Sequence, residues 1–285
     1  MARLTGDLFD FERRSLRFAV VGHPVAHSKS PRIHEAFARQ FGLTLTYEAI
    51  DLDPIAFEQG VRHLQAGGVL GLNVTIPFKQ AAYRLSDQLS DRARAAQAVN
   101  TLALLPDGTI TGDNTDGAGL VQDLEVNLAS RLRDAKVLIL GAGGAARGIL
   151  QPLLSAGPDW LAIANRTASR ARDLAEEAGS SRVRGMAFGE LTDSFDLVIN
   201  ATSTSLTGVL PNVDEAIFKA GGLAYDLAYA DQPTSFMRWA VGSGAGLAVD
   251  GLGMLVEQAA ESFFIWHQKR PQTLPVIDEL RAGFR

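Results

Sequence analysis

A chain of 285 residues, 46% hydrophobic and 21% charged, is long enough for one large domain or two modest ones and can bury a sizeable core. A formal net charge of -5 argues against nucleic-acid or anionic-membrane binding, and the lack of cysteine excludes disulfides, thiolate catalysis and zinc–sulfur sites. Met1–Arg17 is charged and mixed without the apolar core of a signal peptide, and no apolar run approaches bilayer length, so a cytoplasmic protein is expected.

Phe18-Ala19-Val20-Val21-Gly22 reads as a buried strand, followed by a polar loop from His23 and a helix from Pro31 through Phe41. Leu45–Leu52 reads as the second strand, Pro54–Gln65 as a helix ended by Gly67-Gly68, and Val69–Thr75 as the third strand, stopped by Pro77. A helical region is expected to about Ala96. Val99–Leu105 and Thr109–Gly112 then form a hairpin across Pro106-Asp107-Gly108. Gly117–Leu132 reads as a helix bridging the two halves.

The second half repeats the alternation. Val137–Leu140, Leu161–Ala164, Leu197–Asn200, Leu223–Asp226 and Leu247–Val249 are short apolar strands, with helices over Ala145–Leu154, Ala168–Ala178 and Ser235–Ala240 between them. Met254–Trp266 and Val276–Phe284 are closing helices, expected to fold back on the first half. The pattern predicts an α/β protein of two domains. Residues 1–116 plus 254–285 would form a mostly parallel open sheet with helices on both faces, and residues 117–253 a Rossmann domain.

Gly141-Ala142-Gly143-Gly144-Ala145-Ala146 lies between an apolar strand and a helix, which is the context that makes a glycine loop a dinucleotide fingerprint. The first glycine permits the tight turn, the second lets backbone approach a pyrophosphate, and the free N–H groups of the helix start receive its charge. The next strand ends in Asn165-Arg166-Thr167, with no carboxylate between Leu161 and Ala171 for a ribose 2′-hydroxyl. Arg166, with Arg170 four residues on, suits a 2′-phosphate instead, so NADP is expected over NAD.

In the first half, Asn73 and Thr75 alternate with apolar residues at the carboxyl end of a strand, where open α/β sheets bind ligands, and Lys79 follows a proline turn. Lys79 could supply charge or a proton, or be a solvated surface group. Asp116 in Gly112-Asp113-Asn114-Thr115-Asp116-Gly117 is open between a helix N-cap and a partner for Lys79. Asn100 leaves a strand. Ser28 and Ser30 precede a helix, either as ordinary caps or as hydroxyls for a carboxylate. His23, His27 and His34 lack ligand spacing, so structural or surface roles and no metal are expected.

Together these stretches resemble the shikimate dehydrogenase family over nearly the whole chain. The resemblance is carried by Gly22-His23-Pro24, His27–Pro31, Asn73–Lys79, Ala98–Thr101 and Gly112–Gly117. In the second half it is carried by Gly141–Arg147, Asn165–Thr167, Asn200–Ser203, Tyr225–Leu227, Gly253–Val256 and Gln258–Ala260. It implies reversible reduction of 3-dehydroshikimate to shikimate by NADPH, in aromatic amino acid biosynthesis, by a monomer or homodimer. It also implies that Ser28, Ser30 and Tyr229 bind the substrate carboxylate and that Asn73, Thr75, Asn100 and Gln258 hold ring hydroxyls. Lys79 would be the acid/base group with Asp116 its partner, and Leu227, Gly251 and Asp91 would lie near the nicotinamide. Relatives of the quinate/shikimate or aminoshikimate type share that chemistry, and a non-catalytic sensor would share the fold. Three departures stand out: Thr204-Ser205-Leu206 where the family usually has a glycine, no proline just after Tyr229, and Gln268 in place of a glycine.

Overall fold

The computed structural model describes residues 16–202 and 213–283. The first half runs β1 (Leu16–Gly22), α1 (Ser30–Gln40), β2 (Leu45–Asp51), α2 (Phe57–Ala66), β3 (Val69–Val74), α3 (Lys79–Leu85), β4 (Gln88–Leu89), α4 (Asp91–Ala96), β5 (Thr101–Leu104) and β6 (Ile110–Asp113). Its six-stranded sheet has the order β2-β1-β3-β5-β6-β4. β1 is parallel to both β2 and β3, with Val20 opposite Ala49 on one side and Asn73 on the other. The β5–β6 pair is the expected antiparallel hairpin. Asp107 accepts the Thr109 N–H at 2.9 Å and Gly108 adopts φ 90, which closes the turn.

The second half runs α5 (Asp116–Gln122), a π-helical turn over Asp123–Asn127, β7 (Lys136–Leu140), α6 (Gly144–Ser155), β8 (Trp160–Asn165), α7 (Ala168–Glu177) and β9 (Val183–Ala187). It continues with β10 (Phe195–Asn200), β11 (Phe218–Asp226), α8 (Ser235–Gly242), β12 (Leu247–Asp250), α9 (Leu252–His267) and α10 (Leu274–Ala282). All pairings in this sheet are parallel and the order is β12-β11-β10-β7-β8-β9. Counted within the sheet that is 3-2-1-4-5-6, the doubly wound dinucleotide-binding order. Val137, Leu138, Ile139 and Leu140 are buried to the last side chain because helices cover both faces.

Several elements differ from the sequence reading, and β11 starts at Phe218, five residues before the expected Leu223. The helical region to Ala96 is broken by β4: Ser86 turns extended after α3, Asp87 accepts the Ile110 N–H at 2.8 Å, and Ser90 caps α4 through the Ala93 N–H at 3.1 Å. α2 begins at Phe57 rather than Pro54, because Asp53 accepts the Ile55 N–H at 2.8 Å and holds a turn. The bridging helix stops being α-helical at Gln122, passes into the π turn, and ends before Ala129, which has φ 48. β9 carries no apolar run. Its Gly185 lies so close under α7 that a Cβ would strike the backbone of Ala171.

The closing helices return to the first half. α9 packs on α1, α5, β3 and β5, and α10 on α1 and α9. Their shared core is Ile33, Phe37, Val256, Ala259, Phe263, Val276 and Leu280. α9 ends at Gln268 with φ 52, a left-handed conformation that favours the glycine common at this place, and the Gln268 side chain reaches back to the Phe264 carbonyl at 3.1 Å. Among the described residues no helix is long and apolar enough to cross a membrane.

Trp266 of α9 lies flat against β3. A Cβ on Gly71 would sit 2.5 Å from its indole, which stacks on Phe18 at 4.8 Å between ring centroids and donates to the Leu102 carbonyl at 3.0 Å. Gly71→Ala should therefore overpack this seam and cost about 1–3 kcal/mol in urea unfolding. An unchanged denaturation midpoint would show that the indole moves aside freely.

Candidate active site

A cavity of about 680 Å³ opens where the carboxyl ends of β1 and β3 face the segment after β11 and the start of α9. Eleven of the residues singled out in the sequence line it: Ser28, Ser30, Asn73, Thr75, Lys79, Asn100, Asp116, Leu227, Tyr229, Gly251 and Gln258. They come from both halves of the chain. Thr75 and Lys79 arrive because the turn after β3 carries the chain over the sheet end, with the Thr75 N–H on the Val21 carbonyl at 2.9 Å.

Lys79 and Asp116 meet. The Lys79 Nζ donates to Asp116 Oδ2 at 2.6 Å, and the Asn100 Nδ2 donates to the other carboxylate oxygen at 2.8 Å. Asp116 is not the N-cap of α5. That place belongs to Thr115, and the Asp116 carboxylate is turned toward the lysine instead. Asn114 holds the approach by accepting the Asp116 N–H at 3.2 Å and donating to the Ala98 carbonyl at 3.0 Å. The Lys79 and Asp116 side chains keep 31% and 15% of their exposure, so the pair is reachable from the cavity without being fully solvated. Asn100 also donates to Gln258 Oε1 at 3.2 Å, which brings α9 to the same point.

Lys29 holds the N-cap position of α1, Ser28 Oγ just before it accepts the Ser30 N–H at 3.2 Å, and both serines line the cavity at the start of α1. Burial pushes the Tyr229 phenol above its ordinary range, which keeps it a hydrogen-bond donor.

On the nucleotide side, Gly141 has φ 106, and a Cβ there would lie 3.1 Å from the Ala201 carbonyl oxygen. Gly143 and Gly144 face open space, and Ala145 is also exposed at the start of α6, whose first turn carries no acidic residue. The Asn165 Nδ2 donates to the Thr167 carbonyl at 3.0 Å and shapes the turn into α7. Arg147 pairs with Glu177 and Arg172 with Glu190. Arg166 and Arg170 are exposed and form no ion pair among the described residues. A tight glycine turn, an open helix start and two unpaired guanidiniums fit a dinucleotide with a 2′-phosphate.

Three family models match the chain. Their descriptions are shikimate dehydrogenase substrate binding domain over residues 20–102, shikimate / quinate 5-dehydrogenase over 123–220, and shikimate 5′-dehydrogenase C-terminal domain over 251–281. The chain belongs to the shikimate dehydrogenase family. It is 54% identical to the shikimate dehydrogenase (NADP(+)) of Chromohalobacter salexigens, over 93% of this chain and 97% of the relative. Among solved structures it resembles an Ael1 enzyme from Pseudomonas putida with TM-score 0.88 and 46% identity, covering 93% and 98% of the two chains. It also resembles shikimate 5-dehydrogenase from Thermus thermophilus in complex with NADP(H) and shikimate. There the TM-score is 0.82 and the identity 34%, over 95% and 100% of the chains.

One residue of the expected shikimate dehydrogenase set stands apart. Asp91 is exposed at the first turn of α4, which packs on α6, and it is not among the residues lining the cavity. Thr204-Ser205-Leu206 lie outside the described residues.

Behind the cavity wall stands a polar layer that the sequence reading missed. Asn73 Oδ1 accepts from Tyr47 OH at 2.7 Å and from His34 Nε2 at 3.1 Å, while its Nδ2 donates to Ser262 Oγ at 2.9 Å. Ser262 in turn meets Thr101 Oγ1 at 2.7 Å, so α9 is bonded to β5 through hydroxyls. His23, by contrast, pairs with Asp51 at 2.6 Å in the open, and His27 reaches the cavity. His34 stacks on Tyr47 at 4.3 Å, and burial lowers its pKa to about 3.

Because His34 is neutral when folded and protonates near 6.5 when unfolded, the unfolded chain binds more protons between those values. Stability therefore falls as pH drops through about 6.5 and continues falling toward about 3. His34→Gln should remove this component, on the order of 2 kcal/mol between pH 7 and pH 5. Urea titrations at both pH values would test it: parallel losses in the two proteins would exclude His34 as the source.

Proposed function

We infer that the chain catalyses the NADP-dependent, reversible reduction of 3-dehydroshikimate to shikimate in aromatic amino acid biosynthesis. The observation that carries this reading is the Lys79–Asp116 pair in a cavity walled on its far side by the carboxyl end of the dinucleotide-binding sheet. A ring ketone reduced there gains negative charge on oxygen as hydride reaches carbon. An ammonium beside that oxygen stabilises the charge and delivers the proton. Asp116 holds Lys79 through one carboxylate oxygen while Asn100 fixes the other, so the ammonium cannot swing out of the cavity without breaking a charge-assisted bond.

Ser28, Ser30 and Tyr229 would take the substrate carboxylate, with the start of α1 adding a favourable dipole. Thr75, Asn73, Asn100 and Gln258 would hold the ring hydroxyls and so orient the carbonyl toward Lys79. Gly141, Ala142, Gly143, Gly144 and Ala145 would receive the pyrophosphate, and Asn165, Arg166, Thr167 and Arg170 the adenosine 2′-phosphate. The bound NADPH supplies the hydride. Leu227 and Gly251 would border its reducing end, and Asp91 is left without a role at the cavity. We place the division between substrate-binding and nucleotide-binding units at Asp116–Gly117 and Gly253–Met254, since α9, although it crosses α5 at its start, goes on to pack on α1, β3 and β5 of the first half.

The decisive assay follows reduced-nicotinamide absorbance with shikimate and with quinate, each with NADP and with NAD. Shikimate with NADP should give the highest kcat/KM of the four. A preference for quinate would move the chain to the quinate/shikimate branch, and no turnover with any pair would favour a sensor. Lys79→Ala should lower kcat by about a hundred- to ten-thousandfold while changing the shikimate KM far less. Comparable turnover in that variant would exclude the lysine from proton transfer. Arg166→Ala should raise the KM for NADP about tenfold or more with little change for NAD, as expected for loss of a charged hydrogen bond. Equal changes for both nucleotides would remove the 2′-phosphate from its account.

A further inference from the structure

One buried polar cluster outside the cavity stands where three of its walls originate. Asp123 opens the π turn that follows α5 and is 4% exposed. Its Oδ2 accepts from Tyr225 OH at 2.6 Å, and its Oδ1 from Asn127 Nδ2 at 2.9 Å. The Tyr225 oxygen also accepts the Met254 N–H at 3.2 Å. Gly253 makes room for this arrangement, because a Cβ there would collide with the Asp123 carboxylate.

Each arm leads to the cavity. α5 carries Asp116 two turns before Asp123. β11 carries Tyr225 two residues before Leu227. α9 carries Met254 and, about one turn later, Gln258, whose backbone nitrogen would lie 2.5 Å from a Cβ on Gly119. α5 and α9 therefore touch at two levels, and the Asp123–Tyr225 bond ties that crossing to the nucleotide-binding sheet beside the apolar packing of Leu120 and Leu124. The tie is directional in a way apolar packing is not. It sits at a π turn, a feature that places one side chain out of helical phase and recurs at functional sites. Burial and the Asp123 charge hold the Tyr225 phenol well above its ordinary range, so it remains the donor.

We propose that Asp123 and Tyr225 are positioning residues for hydride transfer, locking the wall that carries Asp116 and Gln258 in register with the strand end that carries Leu227. The inference rests on the dehydrogenase reading above. Neither side chain lines the cavity, so their loss should misalign the reacting partners without removing a substrate contact.

Tyr225→Phe and Asp123→Asn test it, alone and together. Each should lower kcat by about tenfold or more with both KM values kept within about twofold, and the double variant should be no slower than the slower single one. The primary deuterium isotope effect on kcat, measured with 4-deuterated NADPH, should rise in both variants as the transfer step becomes limiting. In the free protein, amide exchange at Met254 should speed up in Tyr225→Phe, which reports the lost acceptor independently of turnover. An unchanged isotope effect and kcat in folded variants would overturn the proposal and leave the cluster a structural one. Absence of shikimate turnover in the parent protein would instead overturn the functional reading, while the Met254 exchange would still report whether the tie exists.

Discussion

The geometry of the site depends on how closely α5 can be approached. This short helix begins with Asp116 and is gripped on two sides through residues that lack a side chain. A Cβ on Gly117 would lie 2.5 Å from Pro152 of α6, and one on Gly119 would lie 2.5 Å from the backbone of Gln258 on α9. Helices that touch backbone to backbone lose the freedom to slide that intervening side chains provide. Asp116 is thereby fixed relative to α6, which opens at the glycine loop, and to α9, which supplies Gln258. A carboxylate that must hold an ammonium at one point of a cavity between two sheets needs such a foundation, because among the described residues its own hydrogen bonds reach only to Lys79 and Asn100.

Much of this was legible in the sequence, for identifiable reasons. Polar residues at strand ends announce themselves against apolar runs, so Asn73, Thr75, Lys79 and Asn100 could be picked out. The glycine loop could be read because strand, turn and helix are contiguous. What stayed hidden was non-local or conformational. Ser262 bonds Asn73 across 189 positions, and nothing in a helix that reads as amphipathic marks one serine as a wall support. The π turn was invisible because Asp123-Leu124-Glu125-Val126-Asn127 continues a plausible helical pattern with no proline or glycine to interrupt it. β9 was missed because its central Gly185 answers to the backbone of α7 rather than to a hydrophobic pattern. The role of Asp116 as something other than a cap required seeing that Thr115 already occupies the N-cap.

The chain carries net negative charge, yet both proposed ligands are anions, and the resolution is local. α1, α6 and α7 all begin without an acidic residue in the first turn. The partial positive ends of these helices are therefore uncompensated at the serines, at the glycine loop and beside Arg166 and Arg170. Elsewhere the cations are spent on neighbours: Arg92 on Asp113 and Glu261, Arg281 on Asp250, Lys219 on Asp196. Long-range attraction is weak in such a molecule, so affinity has to come from contacts that form only on docking. The buried polar structure from His34 through Asn73 to Ser262 fits that requirement, because it bonds the cavity wall from behind and leaves its shape set before any ligand arrives.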